Sequence, residues 1–427
     1  MNGILATLVN NFSPLRLPNF RIYLGGQVLS LVGTWLQVTA QGWVVWEITG
    51  SEAALGTVTM VNTIPLLVLT PWAGVWADRI DRRKLLIGTQ IGAMLLAFML
   101  AFLVQTNTVQ LWHIYVISTL LGIITALDLP AQQAFLGDLA GMQEVRRAVN
   151  LNAIIIQVSR MMGPAVAGIV IARIGTAPAF WVNGISFLAV ILSLLAVRSQ
   201  QVKSSSTGES PIRQLKDALR FVREQPRIQD MFLFASMMTF FVWSIIFNLL
   251  PSVADTVLGG DAETLGTLMA ASGAGALAGA LVIVPLTQVR RRVGMVLATS
   301  AIWIGLWVLL MSQSTWLPLS VVALFMGSVA MPVIFTMGLG LIQVMAPGNM
   351  RARLISLFTM LSFGLQPLAA IFVGFNAEHF GVQQTITFNA FAVLILTTFI
   401  MVSRPALRHW EVQIKPTEPM PKPEMAA

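Results

Sequence analysis

An all-α membrane protein with twelve transmembrane helices in two pseudo-symmetric six-helix bundles is the architecture that this sequence predicts. Three observations carry it. Hydrophobic residues make up 56% of the 427-residue chain and charged residues only 10%, whereas soluble domains carry charge at about a quarter of their positions. Twelve apolar runs, bounded by charge, glycine or proline, are long enough for a hydrocarbon layer of roughly 30 Å, which takes about 20 helical residues. Threaded back and forth through a bilayer, these runs place almost every lysine and arginine on one face, as expected when basic residues are retained on the cytoplasmic side.

The runs fall at approximately 20–47, 53–77, 85–105, 110–137, 148–173, 178–198, 228–256, 262–288, 294–312, 316–345, 352–376 and 384–403. Of the 26 lysines and arginines, Arg160 lies inside a run, and Arg173 alone shares a face with Glu47, Glu52, Asp255, Asp261, Glu263 and Glu378. A wrong span count would scramble that asymmetry, so both termini are expected in the cytoplasm. The first run is too long for a signal-peptide core and no small-residue cleavage site follows it promptly, so it reads as a retained span. Residues 200–211 are polar and small, the composition of a linker. After them Ile212, Leu215, Leu219 and Val222 recur at helical spacing with Arg213, Lys216, Arg220 and Arg223 between. Such a helix is expected to lie along the inner membrane face. Residues 415–427, rich in proline and charge, are expected to be disordered. The division predicted is a six-helix half at 1–199, a linker with its amphipathic helix at 200–227, a second half at 228–403 and a tail at 404–427.

The halves echo each other. Leu55-Gly56-Thr57 recurs as Leu265-Gly266-Thr267, Arg82-Arg83 as Arg291-Arg292, and Pro164 and Asn183 answer Pro367 and Asn389. Same-direction repeats of six spans predict two bundles related by an axis along the membrane normal, with a substrate site between them.

Composition also excludes. Without cysteine there is no disulfide framework, thiolate nucleophile or cysteine metal site. The three histidines, His113, His379 and His409, are too scattered to suggest a metal cluster, and no cofactor is expected. An intramembrane enzyme would need a nucleophile and base, and His113, the one histidine placed inside a span, sits near the outer surface. The net charge of +8 resides in short segments between apolar runs, which membrane orientation explains better than nucleic-acid binding. No Gly-x-x-x-x-Gly-Lys-Ser/Thr stretch occurs, so ATP drive is not expected.

Between the second and third spans stands Gly74-Val75-Trp76-Ala77-Asp78-Arg79-Ile80-Asp81-Arg82-Arg83-Lys84. Gly-x-x-x-Asp-Arg-x-x-Arg-Arg in this place resembles the signature loop of the major facilitator superfamily. With Asp81 where many relatives carry glycine, it resembles the branch that holds enterobactin exporters and macrolide efflux pumps. The resemblance implies a gating role for Gly74, Asp78, Arg79, Arg82 and Arg83. It implies that Asp78 caps the eleventh span near Arg351 and Arg353, and that Asp128 meets Arg82 or Arg83 when the cytoplasmic side is closed. In the fifth span Gly163, Pro164 and Gly168 resemble the Gly-Pro-x-x-x-Gly element of drug and proton antiporters, although the upstream glycine of the full element is missing. Read from the residues alone, the glycines let a neighbouring helix approach and the proline bends their own.

Polar residues inside spans are the remaining signal. Gln27, Ser30, Thr34, Gln37 and Gln41 draw a stripe along one face of the first span. It reads either as interhelical hydrogen bonding or as the lining of a substrate cavity, the latter favoured because three long amides exceed what close packing usually admits. In the seventh span Met237, Phe241, Ser244 and Asn248 hold similar spacing; aromatic and methionine surface there reads either as plain packing or, with Phe241, Ser244 and Asn248 as candidates, as the same cavity. Asp128 lies roughly 13 Å and Arg160 roughly 18 Å inside their spans by helical rise, as candidates for ion coupling. Mutual pairing is the simplest expectation for two such buried charges.

Together these readings predict a monomeric secondary transporter in a bacterial inner membrane. Its partners would be the bilayer, an amphipathic small molecule and protons, with export by proton antiport and alternating access. A lysophospholipid flippase or a metabolite importer of the same fold is the alternative. The topology has a direct test in a chain without native cysteine. Arg291→Cys should react with a membrane-impermeant maleimide only after the cells are broken. Labelling from outside intact cells would overturn the twelve-span threading.

Overall fold

Lipid offers no partner to a backbone N–H or C=O, so an apolar run that crosses it closes its hydrogen bonds internally as a helix. The computed structural model describes residues 13–197, 211–288 and 292–408. Among them twelve helices are long and apolar enough to span a membrane. In the first half these are Pro18–Thr49, Glu52–Leu69 (the start of a helix reaching Arg79), Arg82–Gln105, Leu111–Gly141, Arg147–Ile174 and Ala177–Ala196. In the second they are Pro226–Asn248, Ala262–Thr287, Val293–Ser312, Leu317–Ile342, Arg353–Phe380 and Val382–Ser403. Each run expected from sequence meets one of them. The amphipathic helix forms at Pro211–Glu224, while the linker before it and the tail beyond Arg408 lie outside the described residues.

Local chemistry sets several of the ends. Asp81 accepts the Lys84 backbone N–H at 3.0 Å, so the aspartate of the signature loop is the N-cap of the third span. Asp261 caps the eighth in the same way, accepting from Glu263 and Thr264 at 3.0 and 3.1 Å. The fourth and fifth spans are one helical stretch interrupted at Gly141, where φ is 69° and ψ 167°. Glycine alone adopts that backbone without steric cost, and there the chain leaves one span for the next.

Small residues bring the helices together within each half, as they must where lipid supplies little drive for apolar association. The first span packs on the sixth, the third on the sixth and the second on the fourth; in the second half the eighth and ninth pack on the tenth and the ninth on the twelfth. The halves themselves meet along two seams, fifth span on eighth and second on eleventh. A Cβ placed on Gly266 would lie 2.7 Å from Gly168 Cα and 2.7 Å from the Pro164 carbonyl, and one on Gly374 would lie 2.6 Å from the Glu52 carbonyl. Backbones therefore touch there, with no room for a methyl group.

Hydrogen bonds run across the same region, near the helix ends that carry the acidic residues. Trp46 Nε1 donates to Asp255 Oδ2 at 2.8 Å, Ser252 Oγ to Glu52 Oε1 at 2.6 Å and Thr59 Oγ1 to Asn248 Oδ1 at 2.6 Å. The two halves are sealed at that end. Gly266→Val should force the seam apart, since overpacking a close contact costs about 1–3 kcal/mol. The expected readout is a reporter cysteine in place of Gly42, whose new Cβ would meet Pro251 Cγ at an ordinary 3.7 Å. Gly42→Cys should stay closed to external maleimide in the native background and open in the Gly266→Val background; equal protection in both would show that the glycine contact does not hold the seal.

Candidate substrate cavity and gate

Away from the sealed end the halves diverge, and a cavity of about 470 Å³ lies between them. That volume is in the ordinary range for a small-molecule site. The first half contributes the fifth span, including Arg160, and the second contributes its seventh, eighth, tenth and eleventh spans. The wall is mostly apolar and aromatic, with Trp243, Phe335, Phe358 and Met331 among its residues. Two π-turns, Thr239–Trp243 and Gly279–Ile283, shape it, and Thr239, Trp243, Ala280 and Leu281 from them line it. The extra residue in such a turn redirects side chains, which is why π-turns recur at functional sites.

Arg160 is the charge in this wall. It is 8% exposed, and its guanidinium carbon stands 4.3 Å from the Trp243 ring centroid, 5.1 Å from that of Phe247 and 5.7 Å from that of Trp35. Trp243 and Phe247 are themselves stacked, with centroids 5.6 Å apart. Three ring faces from the first and seventh spans thus offset part of the desolvation of the cation, each such contact being worth roughly 0.5–2 kcal/mol. No carboxylate pairs with Arg160 among the described residues.

The expected pair between Asp128 and Arg160 is therefore corrected, and in this state Asp128 bonds to neither of the signature arginines, whose meeting with it was expected for a closed cytoplasmic side. Asp128 Oδ1 accepts from Thr89 Oγ1 at 2.5 Å and from Gln90 Nε2 at 3.0 Å, both on the third span. Arg82 is held by Asp138, its Nη1 lying 2.9 Å from each carboxylate oxygen, with side-chain exposures of 7% and 5%. Arg83 donates to the Leu194 and Leu195 carbonyls at 2.5 and 2.6 Å, at the C-terminal end of the sixth span, where a cation meets the negative end of the helix dipole. Asp138 was missed because the fourth span was expected to end at 137, which left it among loop acids; the helix carries it to Gly141. The seventh span holds a further buried acid, Asp230, which pairs with Arg404 beyond the twelfth. Gly74, Asp78 and Arg79 lie on the helix Glu52–Arg79, but their side chains are outside the described residues. Arg353 reaches Asp217 of the amphipathic helix at 3.4 Å.

The polar stripe of the first span does not reach the lining of this cavity. Gln37 Oε1 accepts from Asn183 Nδ2 of the sixth span at 2.7 Å, and Gln41 Nε2 donates to Ser118 Oγ of the fourth at 2.9 Å. Gln27 and Ser30 are buried, and Thr34 Oγ1 returns to the Ser30 carbonyl. In the seventh span Ser244 turns its hydroxyl onto the Phe240 carbonyl, Asn248 joins the seal through Thr59, and Phe241 packs edge-on to Phe240. What sequence reasoning missed are Trp243, Phe335 and Phe358, which an aromatic count could not separate from packing. Gly163 and Gly168 serve two neighbours: a Cβ at Gly163 would stand 3.0 Å from the Val32 carbonyl of the first span, and one at Gly168 2.9 Å from Gly266 of the eighth.

Comparison with known proteins completes the picture. The family described as transmembrane secretion effector matches residues 9–427. The staphyloferrin A transporter of Staphylococcus aureus is 28% identical over 279 residues, 65% of this chain and 68% of its own. The multidrug efflux pump Tap of Mycolicibacterium fortuitum is 24% identical over 90% of this chain and 95% of its own. In fold, a bacterial homologue of the human lysosomal transporter Spinster, in an inward-facing and unoccupied conformation, superposes with a TM-score of 0.70 at 14% identity, covering 93% of this chain and 99% of that one. The multi-pass chain, with its twelve spans, paired seams and intervening cavity, belongs to the transmembrane secretion effector family of the major facilitator superfamily.

Proposed function

We propose that the protein is a secondary active transporter that exports amphipathic small molecules, drugs or siderophore-like metabolites, by proton antiport with alternating access. The observation that carries this reading is the asymmetry of the halves: sealed by backbone contact and hydrogen bonds at one end, parted around a mostly apolar cavity nearer the other. That is the geometry of one of two states in a rocking cycle. In the orientation given by the basic loops, with the chain in a bacterial inner membrane and both termini cytoplasmic, this is the state open to the inside. Import or lipid flipping by the same fold would use the same two states, and the sign of substrate accumulation separates them. Cells that produce the protein should accumulate less of at least one member of a panel of dyes, macrolides and siderophores, and a protonophore should abolish the difference. Greater accumulation would establish import.

Proton coupling is assigned to Asp128, a carboxylate held by a hydroxyl and an amide. Protonation would change which side of these hydrogen bonds it occupies, from acceptor alone to donor and acceptor. In proteoliposomes, Asp128→Asn should keep substrate binding and downhill exchange but lose substrate-induced proton flux. Flux at the native proton-to-substrate ratio would place the coupling carboxyl elsewhere.

The gate is assigned to the signature loop, with Arg82 and Arg83 clamping the third span to the fourth and sixth. Removing one member of a buried pair leaves a bare charge and costs about 3–5 kcal/mol. Arg82→Ala or Asp138→Asn should therefore lower the melting temperature and abolish transport, while Arg82→Met with Asp138→Leu together should restore stability without restoring transport. Full transport in the double variant would reduce the pair to a structural tie.

A further inference from the structure

We propose that the cavity between the halves binds the anionic end of an amphipathic substrate, with Arg160 as the residue that recognises it. This rests on the transporter reading and adds the charge of the cargo. Arg160 lines the cavity and is 8% exposed, and its guanidinium has neither a carboxylate nor a hydrogen-bond acceptor among the described residues. The aromatic faces of Trp35, Trp243 and Phe247 hold it from the sides. Ring faces attract the charge but do not satisfy its five N–H donors, which form a planar fork matched to a carboxylate or phosphate. A second polar group in the wall is also unmatched: Ser362 is 3% exposed and its hydroxyl finds no partner among the described residues.

The rest of the wall selects the body of the ligand. Trp243, Phe335, Phe358 and Met331 offer aromatic and methionine surface, which adapts to varied apolar shapes. Among the described lining residues there is no aspartate or glutamate. A cationic substrate would meet Arg160 with nothing to neutralise it, whereas a singly anionic one would satisfy the fork and leave its apolar part against the rings. Cation–π packing alone, gluing the first, fifth and seventh spans, accounts for the cage but not for the place of Arg160 on the wall of a cavity whose described lining holds no acid. Two sources share the chemistry that fits: a water-soluble amphipathic acid and an anionic lysophospholipid.

The test uses ligand pairs that differ in net charge, with purified full-length protein in nanodiscs. Dansylglycine and dansylglycinamide differ in one carboxylate, and energy transfer from tryptophan reads their binding. Lysophosphatidylglycerol and lysophosphatidylcholine form the lipid pair, measured as competitors. The expected result is a preference of about tenfold or more for the anionic member of at least one pair, the scale of a hydrogen bond to a charged group. Arg160→Gln should erase that preference, while Arg160→Lys should keep most of it. The pair that shows the effect identifies the source. Equal affinities within both pairs for the native protein overturn the proposal without any variant, and so does a preference that survives Arg160→Gln. Failure of the export reading is distinguishable: an Arg160-dependent anion preference in a protein that moves no member of the efflux panel supports the site and overturns only the transport assignment.

Discussion

The fifth and eighth spans cross so closely that a Cβ on Gly266 would stand 2.7 Å from Gly168 Cα, and the second and eleventh cross as closely where Gly374 meets the Glu52 carbonyl. The fifth and eighth spans stay in contact further in, where a Cβ on Gly273 would stand 2.6 Å from Met161 Cα. Divergence from these crossings leaves the space that the cavity occupies, with Arg160 and Trp243 on its wall. The crossings also bring Trp46, Glu52 and Thr59 within reach of Asp255, Ser252 and Asn248. Polar groups in a low-dielectric setting gain from such partners what they could not gain from lipid. Packed interfaces of this kind have discrete arrangements instead of deforming continuously, which is the property alternating access requires.

The repeat behind these crossings was legible in the sequence, although the crossings themselves were not. Leu55-Gly56-Thr57 and its echo Leu265-Gly266-Thr267 begin the two seam helices of opposite halves, and the motif does the same physical work in both. Leu55 and Leu265 are buried, Thr57 and Thr267 return their hydroxyls to the Ala53 and Glu263 carbonyls at 2.8 Å, and the glycines take the close approach. Span count was legible for a different reason. Length, hydropathy and charge are properties of one helix at a time, and Asp81 announces the start of the third span by its own capping chemistry.

Partner choice was not legible, because sequence gives the depth of a side chain along its helix but not the helix it faces. Asp128 and Arg160 were placed at sensible depths, yet Thr89 and Gln90 of the third span claim the first and rings from the first and seventh claim the second. Gln37 shows the same limit from the other side. Its amide pattern suits a cavity as well as it suits Asn183, and only the rotation of the first span about its axis decides for Asn183. The repeat itself misleads at this level. Asn389 answers Asn183 in sequence, but Ser244 in the corresponding helix bonds to its own backbone, and both polar atoms of the Asn389 side chain remain without a partner among the described residues.

The separation of the two deep charges has a consequence for coupling. Were Asp128 and Arg160 a pair, protonating the acid would strand a buried cation, and that penalty of about 3–5 kcal/mol would tie proton and gate directly together. In this structure each is accommodated without the other, Asp128 by neutral donors and Arg160 by ring faces. A proton on Asp128 therefore leaves no bare charge behind, and the energy of coupling cannot come from breaking an ion pair at that step. If Asp128 is the coupling carboxyl, that energy comes from a difference in its surroundings between two states, with the third and fourth spans shifting against each other within the first half. Coupling free energies between distant sites are typically about 1–3 kcal/mol, a scale that rearranged hydrogen bonds to Thr89 and Gln90 can supply. On the proposed reading, the cation site on the seam responds to cargo while the carboxyl, held between the third and fourth spans, responds to protons.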